Sequence, residues 1–141
     1  MRYENENEIN AVVESFERAT ISRAEWRHAE HLTVALHYLS EHDYETALMK
    51  MRDGIFNLLR AFEVDLSVEM PYHETLTVFW LLTVDDFRKS VGELSKLEIY
   101  NGLVENFDKN YPLRFYSREH LFSDEARRNF IAGDLKNATM K

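Results

Sequence analysis

Apolar residues recur along this chain with a helical period. Ile9, Val12, Val13 and Phe16 fall at i, i+3, i+4 and i+7 on an acidic background, which predicts an amphipathic helix over 6–19. Glu17 lies at the edge of that stripe and is free to face inward or outward. Ser22-Arg-Ala-Glu25 has the spacing of a capping box, and Ile21 and Trp26 stand at hydrophobic-staple positions around it, so a second helix is expected from about 23 to 41. Asp43 is placed to cap a third helix over 44–62, whose stripe is Met51, Ile55, Leu58, Leu59 and Phe62. Pro71 suits the start of a fourth, 72–88. That segment is apolar nearly all round, as in a helix at the centre of a bundle. Thr75, Thr77 and Thr83 would allow a strand over 75–84, but the poor alternation and the helical flanks favour a helix. A fifth helix is predicted over 93–107, through Leu94, Leu97, Tyr100, Leu103, Val104 and Phe107.

Beyond it, 110–116 reads as an extended aromatic connection, with Pro112 holding Tyr111 out of helical geometry. Ser117 and Ser123, each followed by acidic residues, mark the starts of two short helices, the second ending at Gly133. The pattern therefore predicts an all-α fold, a compact bundle of about five main helices plus short C-terminal ones. It is expected to form one domain over 1–141, with 1–5 and 134–141 as loose termini.

Composition narrows the function classes. Only four Gly and two Pro punctuate 141 residues, which disfavours an all-β fold with its many turns. The formal net charge of −8 repels a phosphate backbone, so nucleic acid is not an expected partner. With no cysteine there is no disulfide, thiol nucleophile or thiolate metal ligand. The longest apolar run, 76–84, is too short to span a bilayer, and the N-terminus lacks an apolar signal core; no membrane association and a cytoplasmic location are expected.

Helical phase then selects a few polar residues. His28 shares a stripe with Leu32, Ala35 and Leu39, and His31 shares the neighbouring one with Ala35 and Tyr38. The two histidines thus stand side by side on the inward face, whereas His37 is about half a turn away. In the fourth segment His73, Thr77 and Trp80 share a face, and Glu74 begins the adjacent one with Val78 and Leu81.

Three stretches carry a resemblance: Trp26-x-His28-x-x-His31-Leu32; Tyr72-His73-Glu74-Thr75-Leu76-Thr77-x-Phe79-Trp80; and Tyr116-Ser117-x-Glu119-x-Leu121-x-Ser123-x-x-Ala126-Arg127. In that order they resemble a family of small, mostly bacterial, uncharacterised all-helical proteins, over roughly residues 16 to 135. The resemblance implies the same choice of site residues and carries no established activity. It also implies a Gly near Glu63 and a Pro near Gly133, and this chain departs from both.

Three chemistries fit these residues; the first, a metal site, is the expected function, and a non-catalytic small-molecule sensor or binding module is the alternative class. In the first, His28, His31 and His73 bind a divalent transition metal (Zn, Ni, Fe or Mn), with Glu74 or Glu17 as extra ligand or catalytic base; a metal-dependent hydrolase or other small-molecule enzyme would follow. Residue 77 is Thr, so there is no His-Glu-x-x-His zincin motif, and no paired Glu-x-x-His of a di-iron bundle. In the second, no metal is needed: Trp26, Tyr72, Thr77 and Trp80 line a pocket for a small polar molecule, with one histidine as acid or base. In the third, the histidines form a structural network, His28 or His31 donating to Glu74 or a carbonyl. No sequence feature calls for an organic cofactor. A homodimer through the apolar surface of the fourth or fifth helix is a further option.

Overall fold

The computed structural model describes residues 1–135. Among them are seven α-helices and no strand: α1 (Glu6–Glu17), α2 (His28–Glu41), α3 (Tyr44–Ala61), α4 (Glu74–Ser90), α5 (Lys96–Asn106), α6 (Arg118–Leu121) and α7 (Asp124–Arg128), with a 3-10 turn at Tyr111–Arg114. The all-α bundle with five main helices is the expected architecture. Two helices make its centre. α2 packs against α1, α3, α4 and α5, and α4 packs against α2, α3, α5 and α7. Both bury residues all round, including Thr33 on α2 and Thr75, Thr77 and Thr83 on α4.

The caps are local chemistry. Asn5, Asp43, Ser95, Ser117 and Ser123 each accept a backbone amide three residues on, which satisfies a donor that the first turn leaves without a partner. Two boundaries differ from expectation. Ser22 and Glu25 do exchange capping hydrogen bonds, but they close only an isolated turn. α2 begins at His28, where the Glu30 side chain reaches back to the Arg27 amide. Pro71 lies in the extended lead-in to α4, and the residue that caps that helix is His73. Pro112 enters the first turn of the 3-10 segment, a position that needs no proline N–H, so Tyr111 is helical rather than extended. α7 ends at Arg128, before Gly133.

The termini also differ from loose tails. Tyr3 is 4% exposed; its amide donates to Asn101 Oδ1 (2.7 Å), its carbonyl accepts from Asn101 Nδ2 (2.9 Å), and its hydroxyl lies 2.6 Å from Thr33 Oγ1. Arg2 pairs with the buried Glu30. At the other end Asp134 accepts from both the amide and the hydroxyl of Ser117, and the Leu135 amide donates to Phe115 O. The rest of the expected C-terminal tail lies outside the described residues.

α3 ends in a Schellman motif: Val64 N–H donates to Leu59 O and Glu63 N–H to Arg60 O. Glu63 adopts φ +59°, the left-handed region that favours glycine. Glu63→Gly is expected to raise stability by about 1 kcal/mol, read as a higher midpoint in urea.

Gly54 is needed for a different reason. A Cβ there would collide with the ring of Phe16, which is 1% exposed and stacks on Trp26 at 4.9 Å. Helix propensity alone says that Gly54→Ala stabilises by about 1 kcal/mol. The clash reverses the sign: we expect a loss of about 1–3 kcal/mol by chemical denaturation.

Candidate functional site

The chain reaches α2 through the turn at Ser22–Trp26 and reaches α4 through Pro71–His73, and residues of both lead-ins line one cavity. The cavity measures about 510 Å³. Trp26, His28 and His31 line one side, Tyr72, His73, Thr77 and Trp80 the other, with Leu59 and Phe62 from the end of α3. Seven of the nine residues singled out by helical phase and motif therefore border one space. The other two, Glu17 and Glu74, do not.

Each histidine is held differently. His73 Nδ1 accepts from the Leu76 amide (3.1 Å) and caps α4, while Nε2–H donates to Leu121 O (2.7 Å). Both ring nitrogens are thus occupied, and the neutral Nε2–H tautomer is the one that satisfies both partners. His28 Nε2–H donates to Phe107 O (2.8 Å), and its ring lies against Trp80 at 4.8 Å. His31 tilts against Trp26 at 5.4 Å, and its ring makes no hydrogen bond with any described residue. Part of that ring stays open to the cavity, yet it is closely surrounded by protein. Burial, reinforced by the neighbouring His28, depresses its pKa to about 4. Burial also lowers the pKa values of His28 and His73, despite the carbonyl that each engages.

These positions bear on each chemistry the sequence allows. A three-histidine ion site needs three free nitrogens aimed at one point. His73 has none to offer, and among the described residues no group of three or more His, Asp or Glu is arranged to hold an ion. Glu74 is fully engaged as well: Oε1 accepts from Arg52 Nε (2.9 Å) and the Tyr72 hydroxyl (2.6 Å), and Oε2 from Arg52 Nη2. Burial pushes the Glu74 carboxyl up, but the hydrogen bonds from Arg52 and Tyr72 outweigh it and the net shift is downward. Glu74 is an ionised clasp between α3 and α4, without an oxygen left over for general-base work. Glu17 is exposed on α1 and accepts from the Tyr38 hydroxyl (3.1 Å), away from the cavity. In the structural-network alternative, His28 does find a carbonyl, though not Glu74, and His31 finds no hydrogen-bond partner among the described residues.

Eight lining residues were not singled out as site residues, and three of them are charged: Arg23, Arg27 and Lys109, all exposed at the cavity's edge. Arg27 occupies an unspecified position inside the Trp26–Leu32 motif. Lys109 is far away in sequence and arrives through the chain after α5. No family model, curated protein or solved structure matches this chain. Among the described residues, no helix is long and apolar enough to cross a membrane.

The histidines predict a separable pair of mutants. His73→Ala removes a helix cap and a tertiary hydrogen bond and is expected to cost about 2 kcal/mol, measured by urea unfolding at pH 7. His31→Phe removes no hydrogen bond and is expected to leave the midpoint at pH 7 almost unchanged. The pH dependence follows from the same shifts. The folded pKa values lie below the ordinary imidazole value of 6.5, so the unfolded chain binds more protons in acid. Their contribution to stability is full above about 6.5 and is lost as pH falls toward 4; His31→Phe is expected to flatten that slope.

Proposed function

We propose that the protein is a binding module for a small organic molecule, held in the aromatic cavity between the starts of α2 and α4. The observation that carries this reading is His31: a half-buried imidazole that lines the cavity and has no hydrogen-bond partner among the described residues. Its ring nitrogens stay accessible, so a ligand in the cavity can bond to them without displacing a protein partner. Trp26 and Trp80, which both line the cavity, offer flat apolar surfaces to a planar body, while the neutral His31 offers one donor and one acceptor. The site's volume is in the range of small-molecule pockets.

Binding without catalysis is favoured by the low pKa of His31. Proton transfer is most efficient when the group titrates near the working pH. A histidine at about 4 is neutral at pH 7 and a weak base. The metal-dependent alternative is weakened by the donors already taken, His73 above all. The family resemblance supports the choice of residues and leaves the ligand open.

The chain has two tryptophans, and both line the cavity, so intrinsic fluorescence reports directly on occupancy. The probes are naphthalene-2-methanol and cyclohexylmethanol; naphthalene absorbs where tryptophan does, so ligand-observed NMR reads the first and tryptophan fluorescence together with NMR reads the second. We expect saturable binding of the planar alcohol, weaker binding of the saturated one, and loss of binding in His31→Phe with the fold retained. Failure of both alcohols to bind, together with one equivalent of transition metal in untagged protein, would replace this reading by the metal-centred one.

A further inference from the structure

The charge around the cavity runs against the charge of the chain. Acidic residues outnumber basic ones, 25 to 17, yet none of the fifteen lining residues is Asp or Glu, and three are cations. Arg27 donates through Nε to Ala24 O (2.9 Å) and makes no ion pair with a described residue. Lys109 makes neither an ion pair nor a hydrogen bond with a described residue. Arg23 has Glu69 as its nearest carboxylate, at 3.7 Å, with both side chains exposed, so it is weakly held. Glu74, next in sequence to the lining residue His73, is drawn off by Arg52 and Tyr72. Asp108 and Glu30 act on His28 through their charge but do not border the space.

From this asymmetry we infer that the ligand is a small planar organic anion, its aromatic body between Trp26 and Trp80 and its carboxylate or phosphate head at the Arg23, Arg27 and Lys109 rim. The inference rests on the binding function proposed above and adds the chemistry of the ligand. A free guanidinium presents a planar fork of donors that matches a two-oxygen head group. Lys109 supplies a further charge from the chain after α5. Cations on an exposed rim keep their hydration until an anion arrives, so they do not suffer the burial penalty that charges inside the cavity would carry. A cationic ligand would meet three like charges and no carboxylate.

The test compares 2-naphthoate, 2-naphthyl phosphate and the neutral isostere 2-naphthamide by titration calorimetry at pH 7.5, with the wild-type protein and two charge-matched variants. One carries Arg27→Gln with Lys109→Gln at the rim; the other carries Arg18→Gln with Lys89→Gln, which lie off the cavity. Expected is a preference of about tenfold or more for at least one anion over the amide, as hydrogen bonds to a charged group supply. That preference should shrink as salt is raised. It should fall to near unity in the rim variant and persist in the off-cavity variant, which has the same net charge. The preferred head group then tells carboxylate from phosphate. Equal binding of anions and amide, or equal loss in both variants, would overturn this inference and leave the binding function standing. Absence of binding by all three would overturn both.

Discussion

One imidazole ties together the parts of this fold that matter for its cavity. His73 accepts the amide of Leu76 and donates to the carbonyl of Leu121, so it starts α4 and docks α6 to it in the same act. Only a neutral ring can do both, because the amide offers a proton and the carbonyl takes one. Burial keeps the ring neutral by penalising the charged form. Leu121, 2% exposed, and Ala126 on α7 carry that docking into the apolar core beside α4. Without this arrangement Tyr72, Thr77 and Trp80 would have no fixed wall to belong to.

The opposite wall is positioned by packing rather than by hydrogen bonds. Gly54 lets Phe16 lie against α3; Phe16 stacks on Trp26, and Trp26 leans on His31. A missing side chain on one helix thus sets the orientation of a ring two contacts away. The Arg52–Glu74 fork works between the same elements with the opposite chemistry. It fixes α3 to α4 and draws the nearby carboxylate away from the cavity, which keeps the lining free of negative charge. Apolar stacking and ionic pairing cooperate because they are kept apart in space.

Much of this was legible in the sequence, and what was not has physical causes. Helical phase brings His28 and His31 to one face because a helix fixes the angle between residues three apart. It also brings Thr77 and Trp80 onto the wall across from them. Phase says nothing about where a side chain's hydrogen bonds go, so His73 could be read as a ligand when it is a cap. Its position after Pro71 is a helix-start signal, but histidine is an uncommon cap and the proline was the stronger cue. Ser22–Glu25 misled in the same way: the capping pattern is real and its hydrogen bonds form, yet a local motif cannot say how far the helix continues. Glu17 was ambiguous, and Tyr3 fell in a terminus expected to be loose, because amphipathic periodicity fades at chain and helix ends, where tertiary partners such as Tyr38, Asn101 and Thr33 decide. The Arg27–Lys109 juxtaposition is invisible to any local pattern, since only the bundle topology brings the two together.

In the proposed binding mode the cavity divides recognition into parts with different physical costs. Apolar walls contribute affinity in proportion to the surface they take from water, roughly 25 cal/mol per Å². They discriminate shape rather than charge. His31 adds direction: a donor and an acceptor that line the cavity without a partner among the described residues. The rim cations sit in water, where each attraction is modest and screened, so they select the sign of the ligand and speed its arrival more than they tighten its hold. An anion drawn to that rim would also favour the protonated form of His31, raising its pKa from about 4 and coupling binding to proton uptake in acid. A neutral ligand in the same cavity has no such lever on the imidazole. The protonation state of His31 is therefore the point at which the shape of the pocket and the charge of its rim act on each other.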